Sequence, residues 1–185
     1  LHRALTEEVA RLGLDDLAVF EHAVQVVTMA MTCRGFAVDL PYADALAEDL
    51  TVEQENAEAR AAELGVANCA STAQVAAALV DRGVVLSETT PSGAAKVDKV
   101  VLGSLDDELA TVVLAGKTAA KALATYVGPI VEAAMGDGRV HPRIRSLAAR
   151  TGRQSISNPP LQQLPSGDHR VRTLSLIHIS EPTRP

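Results

Sequence analysis

Apolar residues recur at helical spacing over the first two thirds of the chain. In the stretch "LAVFEHAVQVVTMAMT", apolar side chains repeat every three or four residues. They are Leu17, Phe20, Val24, Val27 and Met31. Such a repeat places these side chains on one side of an α-helix, and Gly35 provides a stop just past them. The pattern therefore predicts a helix that ends before Gly35.

Two further helices are predicted from their end signals. Pro41 stands at a first-turn position ahead of a charged amphipathic stretch that Gly65 ends. Ser71 with Gln74 forms a capping-box pattern, and the short helix that follows is closed by Gly83.

The chain then alternates turns and helices up to residue 138. "TTPSG" at 89 to 93 predicts a turn or mobile loop, and Asp98 can cap a short helical turn. Ser104 with Asp107 predicts the cap of a long helix through Tyr126, which Gly128-Pro129 kinks or ends. "GDG" at 136 to 138 is a tight turn.

After this turn the spacing of apolar residues along the sequence becomes shorter. "RVHPRIRSLAART" mixes apolar and basic residues in the short alternation of a strand or hairpin. The chain holds two Phe, two Tyr and no Trp, so its core must be built from Ala, Val and Leu, which suits packed helices. The predicted fold class is mainly α, with a short β-hairpin after the helices.

Charge is segregated along the chain. The formal net charge is −6, which by itself disfavours a nucleic-acid partner. Residues 139 to 172, however, contain seven arginines and one acid, whereas residues 1 to 138 hold 9 basic and 21 acidic side chains. The arginines are Arg139, Arg143, Arg145, Arg150, Arg153, Arg170 and Arg172. This basic segment is the candidate for binding an anion.

The centre of the basic segment is "ARTGRQSISNPPLQQLP", residues 149 to 165. Its prolines prevent a long helix, and its uncharged donors and acceptors suit sugar, phosphate or base edges. The candidate binding residues are Arg150, Thr151, Arg153, Ser155, Gln162 and Gln163. From composition alone, a polar loop with surface arginines explains the same pattern, so both interpretations stay open.

Other features place the chain among soluble intracellular proteins. Cys33 and Cys69 have neither metal-ligand spacing nor the number that a disulfide framework needs, which favours reduced thiols and a cytoplasmic location. No apolar run is long enough to span a bilayer, so we expect no membrane partner. The histidines suggest no metal site. A start at Leu1 rather than Met suggests a fragment.

The order of short motifs resembles the DNA polymerase I family, family A. "TGRQSISNPPLQQLP" resembles the family segment TGRLSS-x-x-P-x-LQN-I-P, and "DGRVHP", which contains His141, resembles the start of its palm subdomain. Four upstream stretches resemble its thumb subdomain in the same order: "TMAMTCRGFAVD", "NCASTAQVAAALVDRGV", "TTPSGAAKVD" and "KTAAKALATYV". The Ser-Ile and Leu-Gln-Gln variants are more similar to phage members.

The resemblance implies a subdomain order and a fold. Residues 1 to 24 would be a connector helix region, 25 to 135 the thumb, and 136 to 173 the start of the palm. The chain is then a truncated α+β polymerase domain with a helical thumb and a short hairpin. Residues 174 to 185 are similar to a translated sequencing adapter, which predicts that they form a non-native tail.

The resemblance also implies roles for single residues. Arg153 would reach the minor groove at the primer's terminal base pair, and Gln162 would contact the template-primer nearby. Lys117, Lys121 and Thr125, spaced by four on a helix, would grip duplex phosphates. Pro160 and Gln163 stand where the family has Asn, which puts finer base-pair sensing in question.

The implied activity is template-directed nucleotidyl transfer to a primer 3′-OH. The carboxylates that hold the two metal ions in the family have no counterpart here, because Asp168 comes too early in the pattern. We therefore expect no catalytic or metal residue in this chain, and Mg²⁺ and dNTP only in the full-length enzyme. The expected partner is primer-template duplex, bound by a monomer. The alternative is a non-enzymatic helical DNA-binding or scaffold module.

Overall fold

A computed structural model describes residues 2–86, 88–90, 93–165 and 168–174. The chain divides into two compact units. The continuous unit comprises Pro41–Gly128, and the split unit comprises Leu1–Leu40 with Pro129–Pro185. The predicted thumb, 25 to 135, extends beyond the continuous unit at both ends.

The fold is mostly helical with two small antiparallel sheets, which confirms the predicted class. The helices are α1 (His2–Arg11), α2 (Asp15–Arg34), α3 (Leu40–Glu63), α4 (Thr72–Asp81), α5 (Lys99–Ser104), α6 (Glu108–Ala122), α7 (Gly128–Ala134) and α8 (His169–Thr173). The strands are β1 (Phe36–Ala37), β2 (Arg139–Val140), β3 (Arg143–Arg145) and β4 (Ser155–Ser157). A π-helical turn (Leu123–Val127) joins α6 to α7, and a 3-10 turn (Leu161–Gln163) follows β4.

Local signals set most helix ends where the sequence predicts them. Gly35 has a φ of 66° and donates its N–H to Met31 O, which ends α2. Ser71 caps α4 by accepting from Gln74 N. The side chain of Gln74 accepts from Asn68 N rather than from Ser71 N, so the capping box is only half formed. Asp98 caps α5 by accepting from the N–H groups of two residues that follow it.

The predicted Ser104 cap is wrong. Asp107 itself caps α6, because its Oδ1 accepts from Leu109 N at 2.8 Å and from Ala110 N at 3.3 Å. Ser104 is the last residue of α5, and its hydroxyl donates to Val101 O. Asp107 also pairs with Arg82 at 3.0 Å, which fixes its carboxylate.

The core of the continuous unit joins α3, α4, α5 and α6. Its fully buried large side chains include Leu79, Leu102, Leu109 and Val113. The α3 and α6 backbones approach closely, since a Cβ added at Gly116 would lie 3.1 Å from Ala57 Cβ. Small side chains at this crossing allow the two helices to pack tightly.

The long helix is interrupted at the predicted Gly-Pro pair. Pro129 cannot donate to Thr125 O, and its ring would clash with that carbonyl in a regular α-helix. The preceding turn is widened instead, and Gly128 N donates to Leu123 O, five residues earlier. The helical path therefore continues into α7 with a changed register.

The split unit contains both small sheets. β1 pairs with β2 through Phe36↔Val140, and β3 pairs with β4 through Ile144↔Ile156. Its buried side chains include Val38, Ile130, Ala134, Val140, Pro142, Val171 and Leu174. By contrast, Thr28 is the one buried residue of the 20-residue helix α2.

Leu174 belongs to this core although the sequence places it in the tail. Its side chain is 1% exposed, and its carbonyl accepts from Asp39 N at 3.1 Å. The tail was predicted for residues 174 to 185, and residues 175 to 185 lie outside the described residues.

Candidate nucleic-acid interface

The β3–β4 hairpin gives the basic segment its geometry. Arg143 lies opposite Ser157, and Arg145 lies opposite Ser155. Directly opposed residues in a sheet project to the same face, and so do residues two apart on one strand. These four polar side chains therefore share one face, and Ile144 and Ile156 share the other.

The tip of the hairpin presents Arg150 and Thr151. Gly152 N donates to Ala149 O at 2.9 Å, which closes a four-residue turn around them. Gly152 has a φ of 75°, a left-handed conformation that favours glycine. Arg150 and Thr151 are both exposed.

Arg153 is fixed through its backbone. Its carbonyl accepts from Ala148 N at 3.1 Å and from Ala149 N at 3.3 Å, so the residue is tied to the start of the loop. Its side chain is exposed. The hairpin therefore holds the backbone of Arg153 in place and leaves the guanidinium able to bind a ligand.

Gln162 is brought to the hairpin by the 3-10 turn. Its Oε1 accepts from Ile156 N at 3.3 Å, so the carbonyl end of this side chain supports β4. The NH2 end is the part that can donate to a ligand. Gln163 is exposed on the same turn, and its own N–H donates to Pro160 O at 2.9 Å.

The arginines of the hairpin differ from those of the helices. Arg60 pairs with Glu63 and Glu108, and Arg82 pairs with Asp107. Among the described residues, no acid pairs with the arginines of the hairpin: Arg143, Arg145, Arg150 and Arg153. Their positive charge is therefore not neutralised within that part of the chain.

The continuous unit carries the three other predicted residues. Lys117 is half-buried and Lys121 is exposed on α6, and neither has an ion-pair partner among the residues the structure describes. Their spacing of four places both on one face of the regular helix. Thr125 is half-buried in the π-helical turn, where α-helical spacing no longer applies.

His141 and Arg139 form a clamp on the end of α2, and no sequence motif predicted it. Its Nδ1 lies 2.8 Å from Thr32 O and its Nε2 lies 3.0 Å from an Asp137 carboxylate oxygen. Arg139 donates to Arg34 O at 2.6 Å and to Gly35 O at 3.1 Å. The clamp therefore binds the last carbonyls of α2 to the strand that leads into the hairpin.

Both partners of the His141 ring are hydrogen-bond acceptors, so the protonated imidazolium satisfies both contacts. The Thr32 carbonyl and then the Asp137 carboxylate raise the pKa of His141 above its ordinary 6.5. The His141 hydrogen bond lowers the pKa of Asp137. A Cβ at Gly35 would lie 2.8 Å from the imidazole, so the glycine that ends α2 also makes room for the ring.

The described residues contain neither a metal-binding cluster nor a membrane-spanning helix. Within them, no group of three or more His, Cys, Asp or Glu side chains could hold a metal ion. Asp168 caps α8 by accepting from Arg170 N, which gives it a structural role. No helix among the same residues is both long and apolar enough to cross a bilayer.

Comparisons with known proteins agree with the motif order. The chain is 34% identical over 160 residues to a DNA polymerase of Mycobacterium phage L5, covering 84% of this chain and 27% of the relative. It is 29% identical to the DNA polymerase DpoZ of Vibrio phage phiVC8, covering 91% of this chain and 29% of that protein. The predicted likeness to phage members is confirmed.

A solved structure shares the fold. The polymerase domain of Pol1 from M. smegmatis, in complex with DNA primer-template and dNTP, matches with a TM-score of 0.79 and 27% identity. The match covers 93% of this chain and 31% of that one. The model of DNA polymerase family A matches residues 41–183, which is most of the sequence, and the chain belongs to that family.

Proposed function

We propose that this chain is the part of a DNA-directed DNA polymerase that grips primer-template duplex. The observation that carries the proposal is the set of hairpin arginines, which no acid neutralises among the described residues of a chain with net charge −6. The exposed lysine of α6 and the family membership support it. The chain spans about 27–31% of the relatives it matches, so the activity of the whole enzyme is part of the proposal.

Each predicted residue has a proposed role in this grip. Arg153 contacts the minor groove at the primer terminus, and Gln162 donates from its NH2 group to the template-primer. Arg150, Thr151, Ser155 and Gln163 contact the backbone nearby. Lys117, Lys121 and Thr125 bind duplex phosphates from the continuous unit.

Nucleotide addition requires groups beyond those found among the described residues. Two metal ions held by carboxylates stabilise the attacking and leaving oxygens in such reactions. The described residues offer no carboxylate cluster for Mg²⁺, and Asp168 is engaged as a helix cap. Extension of a primed template by this chain is therefore expected to equal a no-protein control, whereas measurable extension would contradict the assignment of catalysis to other parts of the polymerase.

The salt dependence of duplex binding tests the grip. We expect weak, sequence-independent binding, on the order of micromolar or poorer, because released counterions drive it. Lys117→Ala and Lys121→Ala should each flatten the log–log salt slope by roughly 1. Arg60→Gln is the matched control, since Glu63 and Glu108 already neutralise Arg60. Equal slopes in all three variants would remove α6 from the interface.

Arg153 distinguishes a polymerase from a simple DNA-binding module. In the full-length enzyme, Arg153→Ala should lower single-nucleotide incorporation by about 10- to 100-fold, or roughly 1.4 to 2.7 kcal/mol of barrier, because a contact at the primer terminus positions the 3′-OH. Duplex affinity should change less. Unchanged incorporation with reduced affinity would make Arg153 an ordinary phosphate contact.

A further inference from the structure

The polar face of the β3–β4 hairpin extends well beyond the predicted binding residues. Of its four side chains, Arg143, Arg145, Ser155 and Ser157, the predicted interface includes only Ser155. Both arginines are exposed, and both serines are half-buried. Ile144 and Ile156 are half-buried on the opposite face.

We propose that this face binds phosphate groups of duplex DNA through Arg143 and Arg145, with the two serine hydroxyls as further donors. The inference rests on the proposed function and extends the interface from the hairpin tip along its strands. A guanidinium presents several N–H groups in a planar fork that fits phosphate oxygens. A hydroxyl on the facing strand can donate to the same phosphate.

Charge and spacing favour an extended polyanion as the occupant. The two arginines are two residues apart on one strand, which separates their Cα atoms by about 6.6 Å. Phosphates recur every 3.4 Å of helix axis along one DNA strand, so the two guanidinium groups reach different phosphates. No acid of the described chain competes for either arginine.

The test is duplex binding by the full chain as a function of salt. Each phosphate contact contributes about 0.9 to the log–log slope, so Arg143→Ala with Arg145→Ala should reduce its magnitude by about 1.8. At about 50 mM salt the affinity should fall at least tenfold. The double Arg→Lys variant should keep most of the slope, because it keeps both charges.

The control removes the same charge elsewhere in the split unit. Arg3→Ala with Arg11→Ala deletes two arginines of α1 that pair with Glu7 and Glu8. This variant should keep the parental slope. Circular dichroism establishes that every variant is folded.

The outcomes separate the two proposals. If the Arg143 and Arg145 variant keeps the parental salt slope while the Lys117 and Lys121 variants flatten it, this inference is wrong and the proposed grip stands. If its slope changes no more than that of the α1 control, the face is not a phosphate site. If the parental chain shows no salt-dependent duplex binding at all, the proposed function itself fails.

Discussion

The two units use their apolar side chains differently. In the continuous unit, large side chains such as Leu50, Leu79 and Leu109 are at most 1% exposed. In the split unit, α2 leaves large apolar side chains open to solvent, including Val19 at 70% and Phe20 at 62%. Helices of the continuous unit bury large apolar side chains on one face, whereas the less exposed face of α2 carries Ala18, Val24 and Thr28.

The difference shows that an apolar repeat predicts a helix more reliably than it predicts burial. The spacing of Leu17, Phe20, Val24, Val27 and Met31 is that of a core-facing stripe, yet four of the five are exposed. The apolar side of α6, by contrast, is buried in a core that it shares with α3, α4 and α5. The clamp of His141 and Arg139 is what holds the end of α2.

The largest expected effect comes from truncating a buried side chain of α6, compared with an exposed side chain of α2. Leu109→Ala should lower the free energy of unfolding of the continuous unit by about 2–5 kcal/mol, because it leaves a cavity among buried side chains. Phe20→Ala should change stability by about 0.5 kcal/mol or less, since the ring is exposed. Urea unfolding followed by circular dichroism measures both, with hydrogen exchange in α6 and α2 to identify the unit.

Val100→Ala is the matched control within the continuous unit, because Val100 is 73% exposed. It should behave as Phe20→Ala does. A loss above 2 kcal/mol for Phe20→Ala would mean that α2 is packed in solution, and the contrast between the units would disappear.

A smaller effect is expected at the end of the split-unit core. Leu174→Ala should cost about 2 kcal/mol, the lower end of the range for a buried leucine, because it leaves a cavity in a core with few large buried side chains. Deletion of residues 175 to 185 should leave the melting temperature unchanged if they are adapter-derived. Thermal unfolding of the two variants compares these expectations, and equal losses would place residues beyond 174 in the fold.

Features set by neighbours in sequence could be predicted. Gly35, the Ser71 cap and the hairpin follow from local backbone preferences and from alternation along a few residues. The choice between Ser104 and Asp107 could not be made, because both can cap and only Asp107 is also fixed by Arg82. The pairing Thr32–His141 joins residues 109 positions apart, and no local pattern encodes it.

The candidate site likewise has features that a local motif predicts and features that depend on the fold. Motif order identified the family and pointed to Arg153 and Gln162, since each motif is a short contiguous segment, whereas Arg150 was indicated by the composition of the basic segment. It did not show that Arg143 and Arg145 share a face with Ser155, which depends on strand register. It also did not show that the Gln162 carbonyl is used by Ile156 N. Side-chain partners depend on the folded structure, which a motif does not specify.

The smallest expected effect is a pH dependence confined to the split unit. Residues 41 to 128 contain no histidine, so changes between pH 6 and 8 should originate in the split unit. The pKa of His141 is raised above its ordinary 6.5 on folding, so its contribution is complete below 6.5 and is lost as pH rises through the folded value. The pKa of Asp137 is lowered from 3.8, so its contribution is lost only as pH falls below that value.

The clamp should therefore be complete between about pH 4 and 6.5 and weaken at higher pH. NMR titration of the histidine Cε1 protons should show a pKa above 6.5 for His141, and Asp137→Asn should lower it, because the carboxylate favours the charged ring. Hydrogen-exchange protection of β1 and β2, corrected for intrinsic rates, should decrease from pH 6 to 8, while that of α6 stays constant. His141→Gln should abolish the decrease, and equal losses in both units would show that the clamp is not its origin.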